Sequence, residues 1–410
     1  MYPWTRLATK AALALTMVIA ARADMDAIEG AARKEGIVVS YGCPAGWAGY
    51  GAIEKIALKR YGIAHKDIHL PSMEQVTRMV AEKDNPVADV AGIGLQFAPI
   101  ARDRKILEPY QHTKWDEIPR WAKDKEGFYA GTYTGTLAFL VNTKVVKNVP
   151  RAWKDLLRGE YRGLVTMPDP RSTANGQFAV LAAAVALGGS EENLAAGISF
   201  FTRLKKLGVL NTAVQPDSQT LAKGTSGIAL LWDFQGLAWK KSIPELEIVI
   251  PSDGSTSGTY ACVINKYARH PWAARCWIEA LVSDEGQIAF ARAGARPIRK
   301  VKLPADVKAR LLPEERYKAV KPISDWKKLA DLCKKLVEHW KTEVLGERDQ
   351  GAPGRPPVAR ETGPQGGIAG QDGPRAPQPS PVARKTGGLV SRIRSIFQGR
   401  DGGREGEPRR

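Results

Sequence analysis

Short stretches of almost wholly apolar, largely β-branched residues alternate along this chain with helical segments, and that alternation leaves few architectures open. Ile37-Val38-Val39, Val87 to Ile93, Leu164 to Met167, Ile228 to Trp232 and Leu246 to Ile250 are the clearest of these runs. A strand with no polar face must be covered on both sides, the condition of a mainly parallel sheet between helical layers. Helical patterns over 25–35, 52–61, 73–83, 177–187, 199–207, 272–282 and 324–343 supply that cover. Gly36 and Gly62 stand where the first two should stop, Pro271 opens the sixth, and Ser283 caps a further helix with Asp284 and Glu285 in its first turn. A hairpin-like passage, Gly127–Tyr133 into Thr136–Asn142, parts the earlier elements from the later ones. Strand-like Tyr260–Asn265 follows a Gly- and Ser-rich crossover at 252–258.

At 410 residues, with 43% hydrophobic content, the chain suits two α/β domains plus extras rather than one ordinary core. Its net charge of +18 raises nucleic acid, an anionic membrane and acidic small molecules as partners. The basic residues form no single dense block along the folded part, so a solvated basic surface is the expectation. No GxSxG, HExxH, P-loop or paired carboxylates in one loop supports catalysis, and no helix-turn-helix precedes the first lobe.

The two ends differ from the middle. Arg6 and Lys10, the apolar run Ala11–Ala20 and small residues at Ala21 and Ala23 have the order of a secretory signal, giving residues 1–23 as signal peptide and a periplasmic location. From Glu347 the composition turns to Gly, Pro, Arg and Gln, which predicts a disordered tail over 347–410. Within it, Leu389, Ile393, Ile396 and Phe397 share a helical face beside Arg392, Arg394 and Arg400, a pattern that fits either a membrane- or partner-docking segment or a transient turn. An oxidising compartment permits a disulfide among Cys43, Cys262, Cys276 and Cys333, with Cys262–Cys276 as one candidate pairing and four buried thiols as the other reading.

Six segments in order carry a family resemblance. They are Val38–Pro44, Pro86–Val90 running on to Leu107, Leu140–Thr143, Pro150–Leu156, Gly163–Thr173 (GLVTMPDPRST) and Ser283–Gln287. Together the chain resembles the extracellular solute-binding proteins of ABC importers, in the iron, polyamine and phosphonate group. The resemblance covers about residues 24–346. It implies an α/β, two-lobed type II periplasmic-binding-protein fold with crossing hinge strands, lobe 1 using 24–138 and 257–346 and lobe 2 using 139–256. It further implies a monomer that captures a small-molecule ligand and meets a membrane permease, without cofactor, catalytic residue, metal or nucleic acid.

In such sheets ligands collect beyond the carboxyl ends of strands. The expected ligand-binding residues are therefore Tyr41, Cys43, Gln96, Ser172, Thr173, Asn175, Trp232, Asp233 and Tyr260. Ser172, Thr173 and Asn175 open the helix at Gln177, where free N–H groups and hydroxyls suit an anionic oxygen or simply cap the helix. Trp232 and Asp233 offer an aromatic face and a carboxylate for an amine, or a core Trp and a turn Asp. Ferric-binding members place tandem tyrosines where this chain has Trp232-Asp233, so a small organic anion or zwitterion of the phosphonate kind is expected. A polyamine or ferric ligand, and a two-lobed periplasmic enzyme, are the alternatives.

Overall fold

A computed structural model of the chain describes residues 24–347; the expected signal segment and the tail from residue 348, with its amphipathic island, lie outside the described residues. The strands are β1 Ile37–Tyr41, β2 Ala64–Ile68, β3 Val90–Gly94, β4 Leu107–Glu108, β5 Gly131–Asn142, β6 Val165–Thr166, β7 Ile228–Trp232, β8 Leu246–Val249, β9 Ser255–Asn265, β10 Arg296–Pro297 and β11 Val320–Lys321. The helices are α1 24–35, α2 Tyr50–Tyr61, α3 Ser72–Ala81, α4 Ala98–Asp103, α5 Ala174–Ala186, α6 Ala195–Lys206, α7 Ser218–Ala222, α8 Asp233–Trp239, α9 Pro271–Val282, α10 Asp284–Arg292, α11 Ala305–Lys308 and α12 Trp326–His339. A π-helical turn, Trp340–Leu345, continues α12 to Gly346, whose φ of +70° is the left-handed stop that glycine tolerates.

The sheet runs β2-β1-β3-β9-β5-β7-β6. β1 pairs in parallel with β2 and β3, and β6 with β7, so a parallel group lies at each end. Between them run the long antiparallel strands β5 and β9. The first half of β5, Gly131–Thr136, pairs with β9, and its second half, Leu137–Asn142, with β7 and β8. β9 pairs with β5 at Ser257–Ala261 and with β3 at Tyr260–Ile264. These strands carry the chain out of one parallel group and back to it. At their meeting point Gly135 faces Gly258. A Cβ at Gly135 would stand 2.6 Å from the Phe234 ring, and one at Gly258 2.3 Å from the Trp232 ring. The two rings approach bare backbone there, which explains two glycines inside strands.

Several expectations need correction. The passage read as a hairpin is the single strand β5, and the Gly- and Ser-rich crossover after 252 is largely the start of β9. β2 was not expected: its sequence, AHKDI, is polar and half exposed at the sheet edge, so it lacks the apolar run of a covered strand. α5 begins three residues before the expected Gln177 and buries every residue from Ala174 to Ala184. Gly197 of α6 lets the two helices touch, because a Cβ there would lie 2.3 Å from the Val180 carbonyl oxygen. All four cysteines are buried and free, with Cys262 on β9 and Cys276 on α9.

Candidate functional site

The carboxyl ends of β1, β3 and β7 and the starts of α3, α5 and α8 converge on a cavity of about 190 Å³. Gly42, just past β1, has φ +72°, and a Cβ there would collide with the Gln75 amide at 2.1 Å, so this loop presents backbone to the cavity. Gln75, on the first turn of α3, is fixed by donating to the Leu70 carbonyl at 2.8 Å and the Gly92 carbonyl at 3.0 Å. Its own carbonyl oxygen is buried without a partner among the described residues. Ser72 opens α3 behind Pro71, whose side chain caps nothing; its hydroxyl accepts from the Gly94 N–H at 3.2 Å.

Across the cavity stands α5. Thr173 is its N-cap: the hydroxyl accepts from the Gly176 N–H at 3.2 Å and donates to the Asp169 carbonyl at 2.7 Å. The N–H groups of Ala174 and Asn175 belong to the first turn, where a helix offers no acceptor of its own, and the helix dipole adds positive potential. The Asn175 amide donates to Gln235 Oε1 at 2.9 Å and its oxygen accepts from the Tyr260 hydroxyl at 3.2 Å. Tyr260 accepts in turn from the Trp232 indole N–H at 3.2 Å, and burial holds its phenol well above the usual range, so it stays protonated. Trp47 closes one wall, its ring 6.0 Å from that of Tyr260 and its indole N–H donating to Tyr133 at 2.7 Å.

The two sides already meet. The Met73 N–H of α3 donates to the Ser172 carbonyl at 3.4 Å, and Gln96 donates to Gln177 at 3.0 Å. A Cβ on Gly94 would stand 2.8 Å from that of Ala174.

Of the nine expected residues, Thr173, Asn175 and Tyr260 line the cavity. Ser172 contributes its carbonyl to the contact with α3. Tyr41 points away, its hydroxyl donating to Glu82 at 2.6 Å, and Cys43 is buried with its N–H on Asp67 at 2.7 Å. Gln96 is buried against Gln177, and Trp232 lies over Gly258. Asp233 is buried too. It accepts from the Thr136 and Phe234 N–H groups at 2.9 Å each and from the Tyr317 hydroxyl at 2.6 Å. Burial pushes its carboxyl up, against the pull of those donors. Sequence reading missed Trp47, Ser72, Gln75 and Gln235; the Pro71-Ser72 helix start was the one available signal. Among the described residues, no Asp, Glu, Lys or Arg lines the cavity, and His69 and Tyr260 are its titratable groups.

Two parallel sheet groups joined by crossing strands, with a polar cavity where helix N-termini oppose each other, define a binding protein that grips a solute. Residues 85–328 match the family model of the bacterial extracellular solute-binding proteins, and the chain belongs to that family. A Haemophilus influenzae protein, described only as uncharacterized, is 31% identical over 280 residues, which cover 64% of this chain and 77% of that one. A putative 2-aminoethylphosphonate-binding periplasmic protein of Salmonella typhimurium is 28% identical over 130 residues, 32% of this chain and 36% of its own. Among solved structures, the periplasmic binding protein AfuA of Actinobacillus pleuropneumoniae, with fructose-6-phosphate bound, superposes with a TM-score of 0.65 at 23% identity, covering 76% of this chain and 99% of its own. A periplasmic thiamin binding protein gives 0.63 at 17% identity, covering 75% and 96%. The fold is that of the type II periplasmic binding proteins, and the chain is a solute-binding component of an ABC transporter.

Proposed function

We propose that the protein works as a periplasmic monomer that captures a small organic anion or zwitterion, phosphonate-like in carrying a compact oxyanion, and hands it unchanged to a membrane permease. The lobes would be 24–138 with 257–346, and 139–256, closing about β5 and β9. One observation carries the ligand class: the cavity is lined by neutral hydrogen-bonding groups and by the first turns of α3 and α5, with no carboxylate. Such surroundings favour an oxyanion, which accepts from N–H and O–H donors and gains from the dipoles. The faces of Trp47 and Tyr260 suit a neighbouring ammonium group, as an aminophosphonate would bring. A polyamine would need carboxylates, and a ferric ion anionic oxygens. The ligand in the name of the Salmonella relative agrees with this choice, though the match spans only about a third of that protein.

A thermal-shift screen separates the readings, because a ligand specific for the folded state raises its stability. Phosphonates and organic phosphates are expected to raise the melting temperature, and to be recovered chemically intact by ³¹P NMR. Stabilisation by spermidine or ferric citrate alone would overturn the ligand class, and a changed ³¹P spectrum the transport role.

A further inference from the structure

A second concavity lies on the crossing strands away from the cavity just described. It is a groove of about 1020 Å³ whose floor includes Thr134 and Thr136 of β5 and Ser257 of β9, and whose wall is the segment from β10 to β11. None of the cavity's lining residues is shared with it.

That wall is built to hold its place. Arg299 is buried, with its Nε–H on the Val282 carbonyl at 2.6 Å and its other nitrogens on Glu117 and Asp284. Arg296 is fixed at the base of the groove. It pairs with Glu314 at 2.9 Å, donates to the Leu312 carbonyl at 3.2 Å, and lies 4.0 Å over the Tyr317 ring. The next cations are different. Lys300, Lys302 and Lys308 line the same groove, are exposed, and make no ion pair or side-chain hydrogen bond among the described residues. Among the described residues that line the groove, Glu314, already engaged by Arg296, is the one carboxylate. Three cations without partners among the described residues share one groove with a fixed guanidinium, and that concentration of positive charge favours an anion that can meet several of them together.

We infer that this groove is a second binding site, for a polyvalent oxyanion such as a compound bearing two phosphate groups. Arg296 and the three lysines would hold its charges, and the hydroxyls of Thr136 and Ser257, 2.8 Å from each other, lie on the floor beneath. The site is distinct from the solute cavity in position and in chemistry: full positive charges here, neutral donors there.

Inorganic pyrophosphate is the probe, titrated calorimetrically into the whole mature protein against sodium chloride of equal ionic strength. Saturable binding is expected in the wild type and in Asn175→Ala, which alters only the solute cavity. In the combined Lys300→Gln, Lys302→Gln, Lys308→Gln variant the affinity should fall at least tenfold, while urea unfolding stays at the wild-type midpoint because those side chains are exposed and make no ion pair or side-chain hydrogen bond among the described residues. Absence of binding beyond the salt control would overturn the inference. So would an affinity unchanged in the lysine variant, or one lost in Asn175→Ala, since the anion would then sit in the other cavity or elsewhere on the basic surface.

Discussion

Asn175 and Gln235 hold each other by their side-chain amides at 2.9 Å, joining the first turns of α5 and α8 at the rim of the solute cavity. With the Tyr260 hydroxyl on its oxygen, Asn175 is held from two directions and presents its backbone N–H in a fixed place. Asn175→Ala should therefore cost solute affinity at least tenfold, measured by calorimetry with the ligand that the screen selects. The fold should lose only about 1–2 kcal/mol, the range for hydrogen bonds of this kind. Retention of full affinity would remove Asn175 from the site.

Gly94 tests closure. Its bare Cα faces Ala174 across the cleft, and an added methyl would meet the Ala174 methyl at 2.8 Å. Gly94→Ala should hold the end of β3 and the start of α5 apart, lowering affinity tenfold or more. Small-angle scattering of the ligand-saturated variant should give a larger radius of gyration than the saturated wild type. An unchanged radius and affinity would mean that the two sides do not approach through this contact.

Asp233 has a structural task. Asp233→Ala would strand two buried N–H groups and the Tyr317 hydroxyl, a loss of about 3 kcal/mol or more in urea unfolding. Asp233→Asn keeps an acceptor for the N–H groups and should lose far less. Burial raises the Asp233 carboxyl above its ordinary 3.8, so the fold favours the protonated acid. Its contribution is therefore greatest below 3.8 and declines as pH rises through the folded value, a slope that the Asn variant should lack. Equal destabilisation by both substitutions would contradict this role.

His112 provides the opposite pH signature. Burial first, then the charges of Lys123 and Arg299, lower its imidazole from 6.5 to about 4. The folded state thus binds fewer protons than the unfolded one below pH 6.5, so stability falls as pH drops from there toward 4. At pH 4.5 the loss from this group is about 2.5 kcal/mol, at 1.36 kcal/mol per unit. His112→Asn should flatten that part of the stability profile while remaining folded at pH 7. A profile parallel to the wild type would show that other groups set the acid limit.

What could be read from the chain follows from what each residue must satisfy alone. β3 and β7 are legible because a strand buried on both faces has no polar residue to hide it. β2 is not, because an edge strand reading AHKDI, with Lys66 exposed and Asp67 taken up by the Ser40 hydroxyl and the Cys43 N–H, reads as a loop. Gly135 and Gly258 misled for a physical reason: they serve the rings of Phe234 and Trp232, which come from elsewhere in the chain, so locally they look like punctuation. In the site, Thr173 and Asn175 could be found from the chemistry of a helix start. Tyr41 and Cys43 flank the lining residue Gly42, and side-chain direction in a strand or turn changes with every residue; Asp233 stands between the lining residues Leu231 and Gln235 but is turned to Thr136 and Tyr317. Trp47 and Gln75 reach the cavity only through tertiary packing, and Ser72 left one local signal, the helix start after Pro71.

The most direct measurement is a crystal structure of the protein with the stabilising solute bound. Its oxyanion is expected within hydrogen-bond reach of the Ala174 and Asn175 N–H groups, with Trp47 and Tyr260 against the rest of the molecule. A solute seated outside this cavity, or one held there by a metal ion or a carboxylate instead, would contradict the assignment.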